Sequence, residues 1–363
     1  MRLTLVRTRR DLADFIAFPA SLYGRDPRYV PAIRQQIRRW HREHVQLALL
    51  RDGSGEVVAR TTLHTDAGFD RKLGRKLQLF GLTEFVDDDT VAKALFDEIA
   101  DAGRQKYASA IFGPVSLLPN QSGGVITSGF ESRGFVDSAW NRPHYPAAYA
   151  ANGFHQRFRS DTWICDDLQR DERAVEDVFA FDDNRIAAEQ LKIHRGNKKK
   201  LATQLPILRQ LLNASFAQLG YYTDISAEQL AAQTDGLAFL IDESLLLYLT
   251  KAGRPIAFVL CIPDISEFVA GVDGNLDLPH QLRLLVRGRG KDAILIVKGT
   301  IPSEQGKGYL RLLSRELLRN LRSGGYHTLR STYVERSNPA STAQYRAMRG
   351  RPLHGYTFYE REI

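Results

Sequence analysis

One segment of the chain combines residue types that binding chemistry needs: Ile294-Leu-Ile-Val-Lys-Gly-Thr-Ile-Pro302-Ser-Glu-Gln-Gly306-Lys-Gly308-Tyr-Leu-Arg-Leu-Leu. An apolar, β-branched run enters a loop with two glycines, and the loop opens into an amphipathic helix. Such a loop turns several backbone N–H groups towards one point, and the helix dipole adds partial positive charge there. The product is an anion site suited to a phosphate or pyrophosphate. Gly306 and Gly308 lack a Cβ and so let the backbone approach a ligand closely. Lys307 and Arg311 bring cations to the same place. A glycine pair before a helix also occurs as a plain turn, so its surroundings must decide.

Other chemistries find less support. The two cysteines, Cys165 and Cys261, form neither a disulfide framework nor a metal cluster. Cys261 lies in an apolar run and reads as a small core residue. The nine histidines are scattered. His41 and His44 share a helix face but have no third ligand in view, so no metal is expected. Two basic stretches, His194–Lys200 and Arg283, Arg287, Arg289 with Lys291, read as solvated surface or as contacts for an anionic partner. Neither carries the interleaved aromatics of a nucleic-acid motif.

The elements that must position the glycine loop follow from periodicity. In the first half the pattern predicts a strand at 3–7 and a helix from Asp11 through Tyr23, which Pro19 should end or kink. A hairpin follows at 45–51 and 56–63, then a strand at 76–82. A helix begins at Asp89 or Thr90, with Val91, Ala94, Leu95, Ile99 and Ala102 on its apolar face, and a buried strand covers 108–113. Residues 114–160 are richer in Gly, Pro, Asn and aromatics: 113–124 reads as a long ordered loop, Pro146–Ala151 as a short helix, and 161–165 as a candidate edge strand. The second half predicts helices at 205–219 and 226–234, strands at 237–241, 244–250 and 255–262, and a basic helix at 276–291. Strand 293–301, helix 308–322, strand 327–335, helix 338–349 and strand 354–361 complete it. The class is α/β: a mixed sheet with helices on both faces. The domains are expected at 1–165 and 201–363, joined by a charged connector at 166–200.

The 363 residues carry a net charge of +8, with 43% hydrophobic and 25% charged side chains. That balance excludes a disordered chain, a coiled coil and a collagen-like repeat. The longest apolar runs, such as Ile256–Ile262, fall short of the roughly 20 residues that cross a bilayer. The first residues lack the apolar core of a secretory signal. A cytoplasmic protein with an anionic partner is expected.

The glycine loop resembles that of the GNAT superfamily of acyl-CoA-dependent N-acyltransferases. The family pattern there is R/Q-x-x-G-x-G/A between a strand and a helix. Gln305-Gly306-Lys307-Gly308-Tyr309-Leu310 matches its opening and departs at the end, where Leu310 replaces Gly or Ala. Downstream, Val334 to Gly350 resembles the family ending N-x(6)-Y-x(3,4)-G, with Asn338 and Tyr345 at the matching positions. This similarity covers roughly residues 205–361. The whole chain also resembles a group of bacterial GNAT-like proteins through Leu22-Tyr-Gly-Arg-Asp-Pro-Arg-Tyr-Val-Pro31, Gly113-Pro114, Gly123-Gly124 and Asn141–Tyr145. The resemblance implies two tandem GNAT-like domains, each a mostly antiparallel sheet, the first degenerate. The loop Thr83–Asp89 is acidic, lacks the glycine pattern and would repel phosphate.

Several roles follow from the resemblance. Acetyl-CoA or a longer acyl-CoA would be the co-substrate, with no metal. Ile301, Gln305, Gly306, Lys307, Gly308, Tyr309, Arg311 and Asn338 would bind it, and a backbone N–H near Ile301 would polarise the thioester carbonyl. A small-molecule amine would attack directly. Tyr345 would protonate the leaving thiolate, because a phenol can give a proton to a thiolate. The ammonium form of the acceptor must first lose a proton. Glu335, Glu304, Asp273 and Glu267 are candidate bases, with Glu335 first because it ends a strand near the expected cleft. The competing readings are an aminoacyl-tRNA-dependent transferase and a non-catalytic acyl-CoA-binding module. Further partners allowed for are tRNA, a carrier protein and a second copy of the chain, with no membrane span.

Overall fold

The computed structural model describes residues 1–24, 26–42, 45–116, 123–136, 138–170, 179–234, 241–287 and 290–363. It divides into two compact units: Met1–Ser160 with Ile265–Val286 and His354–Ile363, and Asp161–Asp264 with Arg287–Leu353.

The first unit begins with β1 (Arg2–Leu5), α1 (Arg9–Tyr23), α2 (Arg34–Arg42), β2 (Gln46–Arg51) and β3 (Val57–His64). It continues with α3 (Ala67–Leu73), β4 (Leu77–Phe85), α4 (Asp89–Gln105), β5 (Ala110–Gly113), β6 (Val125–Ser128) and α5 (Tyr145–Ala151). Strands β1 to β4 pair antiparallel in sequence order. β4 pairs parallel with β5, but only over Leu77–Ala110, Gln78–Ile111 and Leu79–Phe112. The last strand of the chain, β13 (Arg351–Glu362), pairs antiparallel with β5 and β6.

Local chemistry explains where these elements start. Thr8 and Asp11 form a reciprocal cap at α1: the Thr8 hydroxyl accepts from the Asp11 amide and the Asp11 carboxylate from the Thr8 amide. The helix therefore begins two residues before the expected Asp11. Pro19 does not end it, and α1 runs on to Tyr23. Proline has no N–H for the Phe15 carbonyl, and that carbonyl instead accepts from the Arg60 guanidinium at 2.8 Å. A buried side chain thus repairs the helix. Asp88 caps α4 by accepting from the amides of Thr90 at 2.7 Å and Val91 at 3.2 Å. The buried face of α4 holds Val91, Leu95, Phe96 and Ile99.

The second unit holds residues 161–165 of β7 (His155–Cys165), α6 (Asp183–Ala188), β8 (Leu191–Arg195), α7 (Leu201–Phe216) and α8 (Ala227–Thr234). β9 (Leu246–Lys251) and β10 (Arg254–Pro263) follow. α9 (Ser266–Gly271) and most of α10 (Leu278–Arg287) return to the first unit. There the Arg34 amide donates to the Gly274 carbonyl at 2.9 Å, and the Arg34 side chain to Asp273 O at 2.7 Å. The chain then resumes the second unit with β11 (Asp292–Thr300), α11 (Tyr309–Ser323), β12 (Thr328–Glu335) and α12 (Pro339–Ala347). β8, β9, β10 and β11 pair antiparallel in that order. β11 pairs parallel with β12, only from Asp292–Thr328 to Leu295–Ser331.

Each unit is thus a mostly antiparallel mixed sheet with one short parallel pair, followed in both cases by strands that part. Of the expected elements, the strand at 237–241 falls almost wholly outside the described residues. The stretch 166–200 supplies α6 and the edge strand β8. α7 and α11 clamp the second sheet, with Leu208, Leu211 and Leu212 from one and Leu312, Leu313, Leu317 and Leu321 from the other in a common core. Each fully buried leucine contributes about 1.5–3 kcal/mol, which holds α11 against the sheet.

Candidate functional site

β11 delivers the glycine loop to its place. One extra residue, Ile296, sits between the pairs Cys261–Leu295 and Leu260–Val297. A bulge of this kind bends the strand. The Ile296 carbonyl accepts from the Thr332 hydroxyl at 2.5 Å, and beyond that point β11 and β12 no longer pair. The Ile301 amide donates to Ile256 O at 2.9 Å. It is therefore engaged within the sheet and is not itself a free donor for a thioester carbonyl. Pro302–Glu304 form one 3-10 turn, and the Gln305 side chain holds the turn by donating to Thr300 O at 3.1 Å.

Gly306 and Gly308 both have positive φ, 76° and 84°, a conformation that costs other residues energy. A Cβ would meet nothing within 4 Å at Gly306 and only Phe181 at 3.9 Å at Gly308. Glycine is required here by backbone conformation, not by crowding. Among the described residues, the amides of 306–310 donate to no protein acceptor. Gly308 caps α11 without any side-chain hydrogen bond. Five successive free N–H groups at the start of a 15-residue helix form an anion-binding nest. In the first unit, the helix after the corresponding strand is α4, and there Asp88 already occupies the equivalent donors.

Charged side chains surround the nest. Lys307 Nζ donates to Ser303 O and to Glu304, both at 2.9 Å. Lys251 Nζ donates to the Tyr309 hydroxyl at 2.8 Å and pairs with Glu189 at 3.1 Å and Glu304 at 3.5 Å. Tyr309 in turn donates to Glu189. Arg185 pairs with Glu189 at 2.8 Å, donates to Lys307 O at 3.3 Å and lies over the Phe181 ring. The Tyr309 hydroxyl, Arg185 and Lys251 hold the Glu189 carboxyl at about 2. Tyr309 and Glu189 in turn push Lys251 up, so it stays charged. Arg311 is exposed. Lys251, Lys307, Arg185 and Arg311 outnumber Glu189 and Glu304, so the surroundings favour an anion. Phe181, Arg185, Glu189 and Lys251 were not legible as site residues, because each reaches the loop only through tertiary packing.

The other site residues lie along the parting strands. Asn338 caps α12, its side-chain oxygen accepting from the Ser341 amide at 3.2 Å. Tyr345 is buried on α12 and stacks on Trp163 with ring centroids 5.8 Å apart. Burial pushes its phenol up, while a hydrogen bond with Ser331 works the other way. Glu335 ends β12, half-buried. The described contacts join neither Tyr345 nor Glu335 to the loop. A residue missed in the sequence lies on β11 itself: Lys298, whose Nζ stands 4.4 Å from the Tyr345 ring centroid and donates to Gln344 at 2.5 Å. Desolvation pulls its amine down to about 8. A lysine inside an otherwise apolar strand was the available signal.

Of the other candidate bases, Glu304 is engaged by Lys307 and Lys251, and Asp273 pairs with Arg34 in the first unit. Glu267 lies on α9, also in the first unit. Cys165 and Cys261 are buried, and desolvation raises both thiols, Cys165 to about 12. Among the described residues no group of His, Cys, Asp and Glu is placed to hold a metal. No helix among them is long and apolar enough to cross a membrane. His44 and Arg289 lie outside the described residues.

No family model matches the chain. Two curated proteins are similar to it. Protein YghO of Escherichia coli (strain K12) is 26% identical over 286 residues, which is 75% of this chain and 71% of that protein. Bacterial ceramide synthase of Caulobacter vibrioides is 23% identical across 99% of this chain and 96% of that one. Among solved structures, a tandem GNAT protein from the clavulanic acid biosynthesis pathway superposes with TM-score 0.59 at 13% identity, covering 99% of this chain and 98% of that one. A glucosamine N-acetyltransferase region of a fungal multi-domain β-N-acetylglucosaminidase gives TM-score 0.61 at 15% identity, and this chain spans 38% of that longer one. An N-acetyltransferase from Sphaerobacter thermophilus gives 0.55 at 11% identity over 99% of this chain. These likenesses establish the fold.

Proposed function

This chain has the tandem GNAT fold, and we propose that its second unit moves an acyl group from a CoA thioester to an amine. The observation that carries this reading is the run of free amides at 306–310, opened by two positive-φ glycines and ringed by cations. Pyrophosphate has the charge and the acceptor oxygens to satisfy such a nest. Acetyl-CoA or a longer acyl-CoA is the donor. Gly306, Lys307, Gly308 and Tyr309 hold the phosphates through their amides, Gln305 braces the turn, Arg311 adds a cation, and Asn338 meets the CoA arm from the start of α12. Ile301 shapes the site through its buried side chain.

On this reading the parting of β11 and β12 makes the cleft for the thioester. Tyr345 holds a proton for the leaving thiolate, and its raised pKa keeps it protonated at neutral pH. Glu335 takes the proton from the acceptor ammonium. The amine attacks directly, because both cysteines are buried with raised pKa values. Asp88 occupying the α4 terminus supports a single CoA site per chain, in the second unit. Similarity to a bacterial ceramide synthase along nearly the whole chain supports a fatty acyl donor and a long-chain amino acceptor, since a ceramide is a fatty amide. The reaction belongs to the cytoplasm, where acyl-CoA is supplied.

Thiol release from acetyl-CoA and a long-chain acyl-CoA, with a panel of short and long-chain amines, tests the reading. Amine-dependent release is expected, and Tyr345→Phe should lower kcat about 100-fold while leaving the Kd for acyl-CoA unchanged. Binding without any thiol release would favour a non-catalytic module. Activity only with charged tRNA, lost steeply with salt, would favour the tRNA-dependent class.

A further inference from the structure

The first unit contains a cavity of about 130 Å³ that the acyl-transfer reading does not use. It opens where β4 has parted from β5, beside Leu82 to Glu84 and Pro114 to Ser116. Roughly 10–15 Å³ of such space holds one water, so there is room for a small organic molecule but not for CoA.

Two opposite charges line it. Arg60 on β3 and Glu84 on β4 are directly opposed cross-strand partners. Side chains at such positions are near neighbours on one face, yet these two form no ion pair: burial pushes the Glu84 carboxyl up, and the Arg60 charge only partly offsets it. Arg60 is 2% exposed and Glu84 9%. The guanidinium is held elsewhere: it donates to Phe15 O at 2.8 Å, the carbonyl released by Pro19, and lies over the Phe15 ring. Its Nε has no partner. Glu84 receives the Tyr145 hydroxyl at 2.7 Å and the Tyr23 hydroxyl, both on the same carboxylate oxygen. Its other oxygen, Oε1, accepts from no described residue.

Burying a guanidinium and a carboxylate without pairing them is costly. Both are fixed by their own neighbours, so neither turns to meet the other. A molecule lying between them could satisfy both, and it would need an anionic acceptor for Arg60 beside a cationic donor for Glu84. A free amine would meet the guanidinium, and a phosphate would meet the carboxylate. Tyr29, Trp40 and Trp140 supply an apolar wall for the remainder of such a molecule.

We propose that this cavity binds a free α-amino acid, its carboxylate on Arg60 and its ammonium on Glu84, with an apolar side chain against the aromatic wall. The two charged groups of an α-amino acid sit on one carbon, which matches two side chains opposed across adjacent strands. The site is independent of the acyl-CoA reading.

The test is calorimetric titration of the full chain with L-α-amino acids up to about 10 mM. For any that bind, the matching amine without the carboxylate and the matching acid without the amine are titrated as well. At least one apolar amino acid is expected to bind, with both analogues at least tenfold weaker. Glu84→Gln keeps the side-chain shape and is expected to weaken binding at least tenfold. Arg60→Met should do the same. Should Arg60→Met fail to fold by circular dichroism, Glu84→Gln carries the test. Acetyl-CoA titration of the same samples separates this site from the other, and its result should not change. No binding by any amino acid, equal binding of either analogue, or affinity unaffected by Glu84→Gln would overturn the proposal.

Discussion

Lys298 shows how much of the site's chemistry is tertiary. It sits in an apolar strand, half-buried beside Tyr345, and desolvation brings its amine down to about 8 from 10.5. A depressed lysine pKa means that the folded chain binds fewer protons than the unfolded chain between those values. The cost of holding a desolvated ammonium is fully present below about pH 8 and fades as pH rises towards 10.5. Lys298→Met should therefore stabilise the protein at about pH 7, by about 1–3 kcal/mol, and much less at about pH 10. Urea unfolding of both proteins across that range measures it. A gain that is the same at both ends would show that the lysine carries no such cost. At this scale the glycine loop was legible, because a positive-φ turn before a helix demands glycine locally. Glu189, Arg185 and Lys251 were not, because their meeting at Tyr309 depends on α6 and β9 packing against α11.

Elements begin where side chains satisfy backbone, and two helix starts divide the functions of the units. α4 is capped by Asp88, whereas α11 starts at Gly308 with its amides free. The same position in two similar sheets is closed in one and open in the other. The sequence showed this as an acidic loop against a glycine loop. Pro19 does not end α1, because a proline's cost depends on what replaces the missing bond, and Arg60 comes from a different element. Asn338 gives a quantitative check at this scale. As the cap of α12 its side chain is worth about 0.5–2 kcal/mol, so Asn338→Ala should lower the unfolding free energy by that amount. If Asn338 also flanks the bound CoA, the same variant should weaken acyl-CoA binding. A stability loss with unchanged affinity would confine it to capping.

At the scale of the chain, the tandem architecture was legible from the repeated order of elements, and the mixed sheets follow it. What the order did not reveal is that 266–286 belongs to the first unit, since a connection out of one sheet and back leaves no local signal. The surplus of eight positive charges acquires meaning by location. Some of it lies around the nest at 306–310, and one buried cation, Arg60, lies in the other unit. On the proposed function the second unit alone holds acyl-CoA, through that nest. Calorimetric titration with acetyl-CoA and a long-chain acyl-CoA, for the wild-type chain and for Gly308→Glu with its fold checked by circular dichroism, tests it most directly. One site per chain is expected, abolished when a carboxylate is placed before the free amides. Absence of binding in the wild type, two equivalent sites, or binding that survives Gly308→Glu would contradict it.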